Sequence, residues 1–228
     1  MITKPPVITI DGPSGAGKGT LCRELSKKLK WHTLHSGVIY RSLAILALYD
    51  QVDTNSEGAL IPLVSHLMHL HVIPKDQAIK VILKGRDISM AIYDPQTSDI
   101  ASRIAPFPRL RQKILNFQRD FRVFPGLIAE GRDMGTIVFP DAPVKIFLNA
   151  NTKARTHRRM LQLQESGVSV NFNQLLSQIQ ERDERDLHRS AAPLVITDDA
   201  LIIDSSRMSI QTVVEVALHY THAQFTKG

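Results

Sequence analysis

Cysteine is nearly absent: Cys22 is the only one in 228 residues. An intramolecular disulfide is excluded, so stability has to come from packing, and a cytoplasmic location is expected. Long apolar runs are also missing. The densest, Leu43–Tyr49, falls far short of the roughly 18 to 20 residues a membrane span needs, so no membrane partner is expected. Met1–Pro6 carries no basic segment followed by an apolar stretch, so no signal peptide is expected. Aromatics make up only 6% of the chain. That scarcity bears on the positive charge. Lys and Arg number 28 against 22 Asp and Glu, a net +6. The arginines cluster at 155–159 and 182–189 with no aromatic platform among them. Nucleic acid is therefore the weaker reading and a phosphorylated small substrate the stronger. No internal repeat or low-complexity segment occurs.

What is present suits one α/β domain. Hydrophobic residues are 43% and charged residues 22%, enough apolar material for a real core. Val7-Ile-Thr-Ile10 reads as a buried strand, and Thr20–Leu29 as a helix with Leu21, Leu25 and Leu29 at helical spacing. Thr33–Ser36 reads as a second strand, turning at Gly37 into a helix over 39–49; Ser56–Met68 reads as another helix. Between His71 and Ile88 three short strands and two turns, Pro74–Gln77 and Lys84-Gly85, suggest a small antiparallel insert. Helices are expected over 97–104, 108–121, 152–165, 171–186 and 209–224. Strands are expected over 127–130, 144–148 and 200–204. Strands alternating with helices imply a parallel sheet covered on both faces.

The strongest local signal is Gly12-Pro13-Ser14-Gly15-Ala16-Gly17-Lys18-Gly19-Thr20, between a strand and a helix. Glycines let the backbone curl so that successive N–H groups face one concavity. That concavity and the helix N-terminus behind it favour phosphate. Lys18 can reach the β- and γ-phosphates of ATP, and Thr20 can offer a hydroxyl to Mg²⁺. The hydroxyl stands one place later than in the usual P-loop, because Gly19 follows the lysine. By itself the loop says only that a nucleoside triphosphate binds. No Asn-Lys-x-Asp guanine signature is present.

A monophosphate acceptor carries about two negative charges and needs fixed cations. Guanidinium forks suit it, and Arg41 and Arg189 are candidates. Arg132-Asp133 follows the 127–130 strand, at the carboxyl edge where open α/β sheets bind ligands. Asp133 can accept a hydrogen bond from an exocyclic amine such as cytosine N4, whereas uracil would present a carbonyl. Taken singly, Asp133 could instead cap a helix, Asp186 could pair with Arg182, and Arg111 could be solvated.

His35-Ser-Gly-Val-Ile-Tyr-Arg41 resembles the Asp-(Ser/Thr)-Gly-x-x-Tyr-Arg segment of bacterial cytidylate kinases. Gly131-Arg-Asp-Met-Gly-Thr136 is similar to their Gly-Arg-Asp-x-Gly-Thr signature, and Arg182-Asp-Glu-Arg-Asp186 to their Arg-Asp-x-x-Asp segment. The resemblance runs in order from about Pro6 to Gln224. It implies a three-layer P-loop kinase fold with a five-stranded parallel sheet, an NMP-binding insert at about 37–125 and a short lid at about 152–190. It also implies that Ser102, Arg111 and Asp133 contact cytosine, that Asp186 and Arg182 hold the ribose, and that Ser36, Arg41 and Arg189 lie near the acceptor phosphate. Two positions depart from the family pattern: His35 stands where Asp is common, and Tyr93 where Arg is usual.

Arg155, Arg158 and Arg159 are spaced to share one helix face, and Arg182, Arg185 and Arg189 another. Such rows repel unless an anion lies between them. They read as a lid over the phosphates, or as solvated faces partly neutralised by Asp183, Glu184 and Asp186. The expected reaction is phosphoryl transfer from Mg·ATP to CMP or dCMP by a monomer. Arg155, Arg158 and Arg159 are expected on the ATP side. Lys18, Arg132, Arg158, Arg182 and Arg185 are expected to act in transfer. Other acceptors, such as UMP, AMP or a hydroxylated metabolite, remain open from sequence, as does a nucleic-acid-binding ATP switch.

Overall fold

A computed structural model describes residues 4–75, 78–165 and 169–226. The chain forms two compact units, one of residues 1–35 and 119–228, the other Ser36–Gln118. The first unit is built on a parallel sheet of β1 (Val7–Asp11), β2 (His32–His35), β6 (Leu127–Gly131), β7 (Val144–Asn149) and β8 (Leu201–Asp204). The strand order is β2-β6-β1-β7-β8, every neighbouring pair parallel. β1 is therefore central, and all five of its residues are buried. A strand buried on both faces favours a near-continuous run without the polar alternation of a half-exposed strand, which is why Val7–Ile10 reads as an unbroken β-branched run.

Alternation sorts these side chains. Ile8 and Ile10 of β1, Ile128, Ile146 and Leu148 join one core with Leu21, Cys22 and Leu25 of α1 (Lys18–Leu29) and Val213, Val214 and Ala217 of α8 (Ile210–Phe225). Each fully buried aliphatic side chain there contributes about 1.5–3 kcal/mol. Ser209 caps α8, its hydroxyl accepting from Thr212 N. α6 (Thr152–Glu165) and α7 (Phe172–His188) pack through a smaller cluster of Leu163, Leu175 and Ile179.

The second unit holds α2 (Ser36–Tyr49), α3 (Glu57–Leu60), α4 (Pro95–Ile104) and most of α5 (Pro108–Arg119), with an antiparallel sheet of β3 (Leu70–Pro74), β4 (Ile79–Leu83) and β5 (Arg86–Asp87). The single helix expected over 56–68 is two pieces. After α3, a 3-10 stretch runs Ile61–His69 with Pro62 in its first turn. Proline lacks the N–H an α-helix would use there and pre-sets a new start. The helix expected from residue 39 begins at Ser36, so Gly37 is helical. The Pro74–Gln77 turn includes residues 76 and 77, outside those described. Among the described residues, no helix is long and apolar enough to cross a membrane.

Candidate active site

The glycine-rich loop links β1 to α1 at the carboxyl end of the central strand. Its backbone is left-handed at Gly12 (φ 149°), Gly15 (φ 77°) and Gly17 (φ 98°), which lets the chain coil where other residues would strain. At Gly12 space decides as well: a Cβ there would lie 2.0 Å from the Leu148 carbonyl oxygen. Pro13, Ser14, Ala16, Gly19 and Thr20 fill the rest of the loop, with Thr20 half-buried in the first turn of α1. Lys18 is buried, and its Nζ donates to the Pro13 carbonyl at 2.7 Å. Burial pushes its ammonium well below the usual range and Arg132 adds to this, while Glu130 and Asp186 pull the other way.

Behind the loop stands Arg155 of α6. Its Nε donates to Ala150 O, Nη1 to Ser14 O and Asp183 Oδ1, and Nη2 to Thr152 Oγ1 and Asp183 Oδ2. A guanidinium has five N–H donors, and all are engaged. The two bonds to Asp183, at 2.9 and 2.5 Å, form a fork that ties α7 to α6 and, through Ser14, to the loop. Arg158 is bound similarly: Nη1 to Ala16 O and Ser205 Oγ, and Nη2 to Ser205 O at 2.6 Å. Arg159 donates to Gln162.

On β6 the strand ends in Gly131, followed by Arg132 and Asp133. Arg132 Nε donates to Asp186 Oδ2 of α7 at 2.6 Å. The sequence offered Asp186 a pairing with Arg182; the bond to Arg132, which spacing did not suggest, joins α7 to the β6 edge. Burial raises the Asp186 carboxyl, but Arg132, Arg182 and Arg189 outweigh it and hold it at about 2. Asp183 and Asp186, one turn apart on α7, therefore face an arginine on the loop side and an arginine at the β6 edge. The protein's own carboxylates neutralise part of what the sequence presents as two repelling rows. The second row is also shorter than its spacing suggests. α7 ends at His188, and Arg189 is its extended C-cap, with Nε donating to Ala192 O. Arg182 and Arg185 alone lie on the helix. Residues 166–168, within the expected lid, are outside those described.

Asp133 is 3% exposed and stands just before a five-residue π-helical turn, Met134–Val138, without capping it through its side chain. That disposes of the capping alternative. Two side chains that sequence reasoning missed shape this edge. Asp11, the last residue of β1, accepts from Met134 N at 2.9 Å and Gly135 N at 2.8 Å. Burial pushes its carboxyl up to about 6 despite those two bonds. Glu130 accepts from or shares a proton with His35 Nδ1 at 3.2 Å, the two being direct neighbours across β2 and β6. Burial raises Glu130, yet the His35 bond, Lys18 and Arg132 bring it to about 2. The available signal was a carboxylate closing the apolar runs of β1 and β6.

The remaining expected acceptor residues belong to the second unit. Gln118 Nε2 donates to Ser36 Oγ at 3.0 Å. Arg111 Nη1 donates to Tyr40 Oη and Ala105 O, each at 3.2 Å, so it is not merely solvated. Arg41 is half-buried on α2. Ser102 is 6% exposed on α4, and its hydroxyl has no hydrogen-bond partner among the described residues. Buried hydroxyls without partners are uncommon and point to a ligand or water. Tyr93, a departure from the family pattern, ends a short 3-10 turn before α4.

Comparison with known proteins bears on the family and the fold. Residues 8–223 match the family model described as Cytidylate kinase. A cytidylate kinase of Salmonella typhimurium strain LT2 is 59% identical over 215 residues, which cover 94% of this chain and 94% of that protein. One from Salmonella paratyphi B is 58% identical over the same share of each. Among solved structures, an uncharacterized protein from Eubacterium ventriosum aligns over 96% of this chain and 99% of its own, with TM-score 0.51 and 11% identity. At that identity the likeness speaks for the fold alone.

Proposed function

We propose an assignment of roles that starts from what this chain is: it belongs to the cytidylate kinase family and is an ATP-dependent (d)CMP kinase of the P-loop type. The γ-phosphoryl group of ATP passes to CMP or dCMP, giving CDP or dCDP and ADP.

The glycine loop, residues 12–20, holds the ATP phosphates, with Lys18 at the β- and γ-phosphates. Thr20 contributes a single hydroxyl, a donor set suited to Mg²⁺ that arrives with phosphate oxygens around it. When bound, the ion neutralises developing charge on the phosphates. Arg158 and Arg159 serve the donor side from α6. Arg155 serves it indirectly, by holding the Ser14 carbonyl and Asp183, since its own donors are engaged. Arg132, Arg182 and Arg185 meet the charge that spreads over the transferring group. Closing of residues 152–190 as a lid excludes water as a competing acceptor.

On the acceptor side, Ser36, Arg41 and Arg189 bind the monophosphate, Asp186 and Arg182 the ribose, and Ser102, Arg111 and Asp133 the cytosine. The observation that carries this reading is the buried Asp133 at the carboxyl end of β6, beside Arg132. A buried acceptor there fits the cytosine amine and is mismatched by the uracil carbonyl. The unpartnered Ser102 hydroxyl supports it. The enzyme is proposed to act as a monomer, in the cytoplasm. The test is Asp133→Ala with CMP and UMP as acceptors. The ratio of their kcat/KM values is expected to fall at least tenfold, about 1.4 kcal/mol; an unchanged ratio removes Asp133 from base recognition.

A further inference from the structure

We infer that Asp11 is a specificity-determining positioning residue, whose carboxylate clamps the two amides after Asp133 and thereby aims that side chain at the acceptor base. This rests on the reading of Asp133 given above. Asp11 immediately precedes the phosphate loop, and its backbone pairs in register with Gly131 on β6. Its side chain turns to the β6 edge instead of the loop. One oxygen takes Met134 N and the other Gly135 N, so two consecutive peptide groups are fixed by one rigid planar group. The peptide group that follows Asp133 is also held through its carbonyl, which accepts from Ile137 N at 2.9 Å and Val138 N at 3.1 Å. That one peptide plane, joining Asp133 to Met134, is thus gripped at both its N–H and its C=O.

The surroundings are built for this approach. A Cβ on Gly135 would lie 2.9 Å from Thr9 Oγ1 and 3.4 Å from Asp11 Oδ2. The contact with Thr9 is tighter than real Cβ atoms make, so glycine lets this segment sit against β1 within reach of the carboxylate. A Cβ on Gly131 would lie 2.9 Å from the Met134 side chain, which is itself wholly buried. A carboxylate is the one side-chain group that accepts with both oxygens at this reach; an amide of equal shape would turn one NH₂ onto a backbone N–H. Burial of Asp11 has a cost, visible in its raised carboxyl despite the two amide bonds it accepts. Catalytic precision gives a reason to retain it, because a base-reading carboxylate discriminates only when held in place.

The test is Asp11→Asn, assayed with CMP and UMP and compared with Asp133→Ala. Loss of one buried acceptor is expected to lower the CMP-to-UMP ratio of kcat/KM about tenfold. KM for ATP should change less than twofold. A residue that only stabilises the fold would lower both acceptors' rates together and leave the ratio intact, which overturns the inference. If Asp133→Ala itself leaves the ratio unchanged, the base-reading assignment fails, and this inference with it. If Asp133→Ala relaxes the ratio and Asp11→Asn does not, only the inference fails. Should Asp11→Asn not fold, hydrogen exchange on the unaltered protein decides. The Met134 and Gly135 amides are expected to be as protected without nucleotide as those of β6, and fast exchange there would overturn the clamp.

Discussion

Removing Asp183 should be the most informative single perturbation of the lid. Its carboxylate receives two of the five bonds of Arg155, whose side chain is 5% exposed while that of Asp183 is 18% exposed. Asp183→Ala leaves a buried guanidinium with two idle donors and no counter-charge. Breaking a buried pair from one side costs about 3–5 kcal/mol, and the partial access of water to Asp183 favours the lower end. About 3 kcal/mol in a chain of this length corresponds to roughly 6–12 °C in Tm. Circular dichroism during urea and thermal unfolding reads this directly. Activity should fall mainly in kcat, because Asp183 connects α7, with Arg182 and Arg185, to the loop at Ser14. Arg155→Met should behave alike, with KM for ATP little changed. Replacing both residues by apolar ones, Arg155→Met with Asp183→Leu, should restore part of the stability. A loss below about 1 kcal/mol for Asp183→Ala, or a large rise in KM for ATP with Arg155→Met alone, would refute the reasoning.

Three further outcomes are expected. Lys18→Met should lower kcat at least ~10²–10³-fold while circular dichroism stays unchanged, since charge stabilisation is lost from one buried position. Gly12→Ala should abolish ATP binding in a fluorescent-nucleotide titration, because the added Cβ would meet the Leu148 carbonyl at 2.0 Å. Glu130 and Asp186, held at about 2 against ordinary values of 4.5 and 3.8, stabilise the folded state above the ordinary values. That stabilisation is lost as pH falls from about 4.5 towards 2, by about 3 kcal/mol for Glu130 and about 2 kcal/mol for Asp186. Glu130→Gln should flatten its share of the acid slope in urea titrations, and an unchanged slope would count against the His35–Glu130 pair.

The parts of this molecule legible in its sequence are those whose cause is local. The loop declares itself because glycines at 12, 15 and 17 are needed by the backbone of that very segment. The core strands show because burial on both faces demands continuous apolar runs, and Ser209 and Asn171 mark helix starts because an N-cap acts within three residues. Asp11 stayed hidden because its partners lie more than 120 residues away and only the sheet order brings them near. Spacing placed Arg155 with Arg158 and Arg159, but it could not reveal that Asp183, Ser14 and Ala150 would engage every donor. Periodicity likewise carried Arg189 onto a helix that ends one residue earlier, and missed the break that Pro62 enforces.

A panel of acceptors with Mg·ATP, read by ADP release, tests the central claim most directly. CMP and dCMP should turn over well, with UMP and AMP far behind. Turnover of UMP or AMP as fast as that of CMP would contradict the placement of a buried carboxylate as the reader of the cytosine amine.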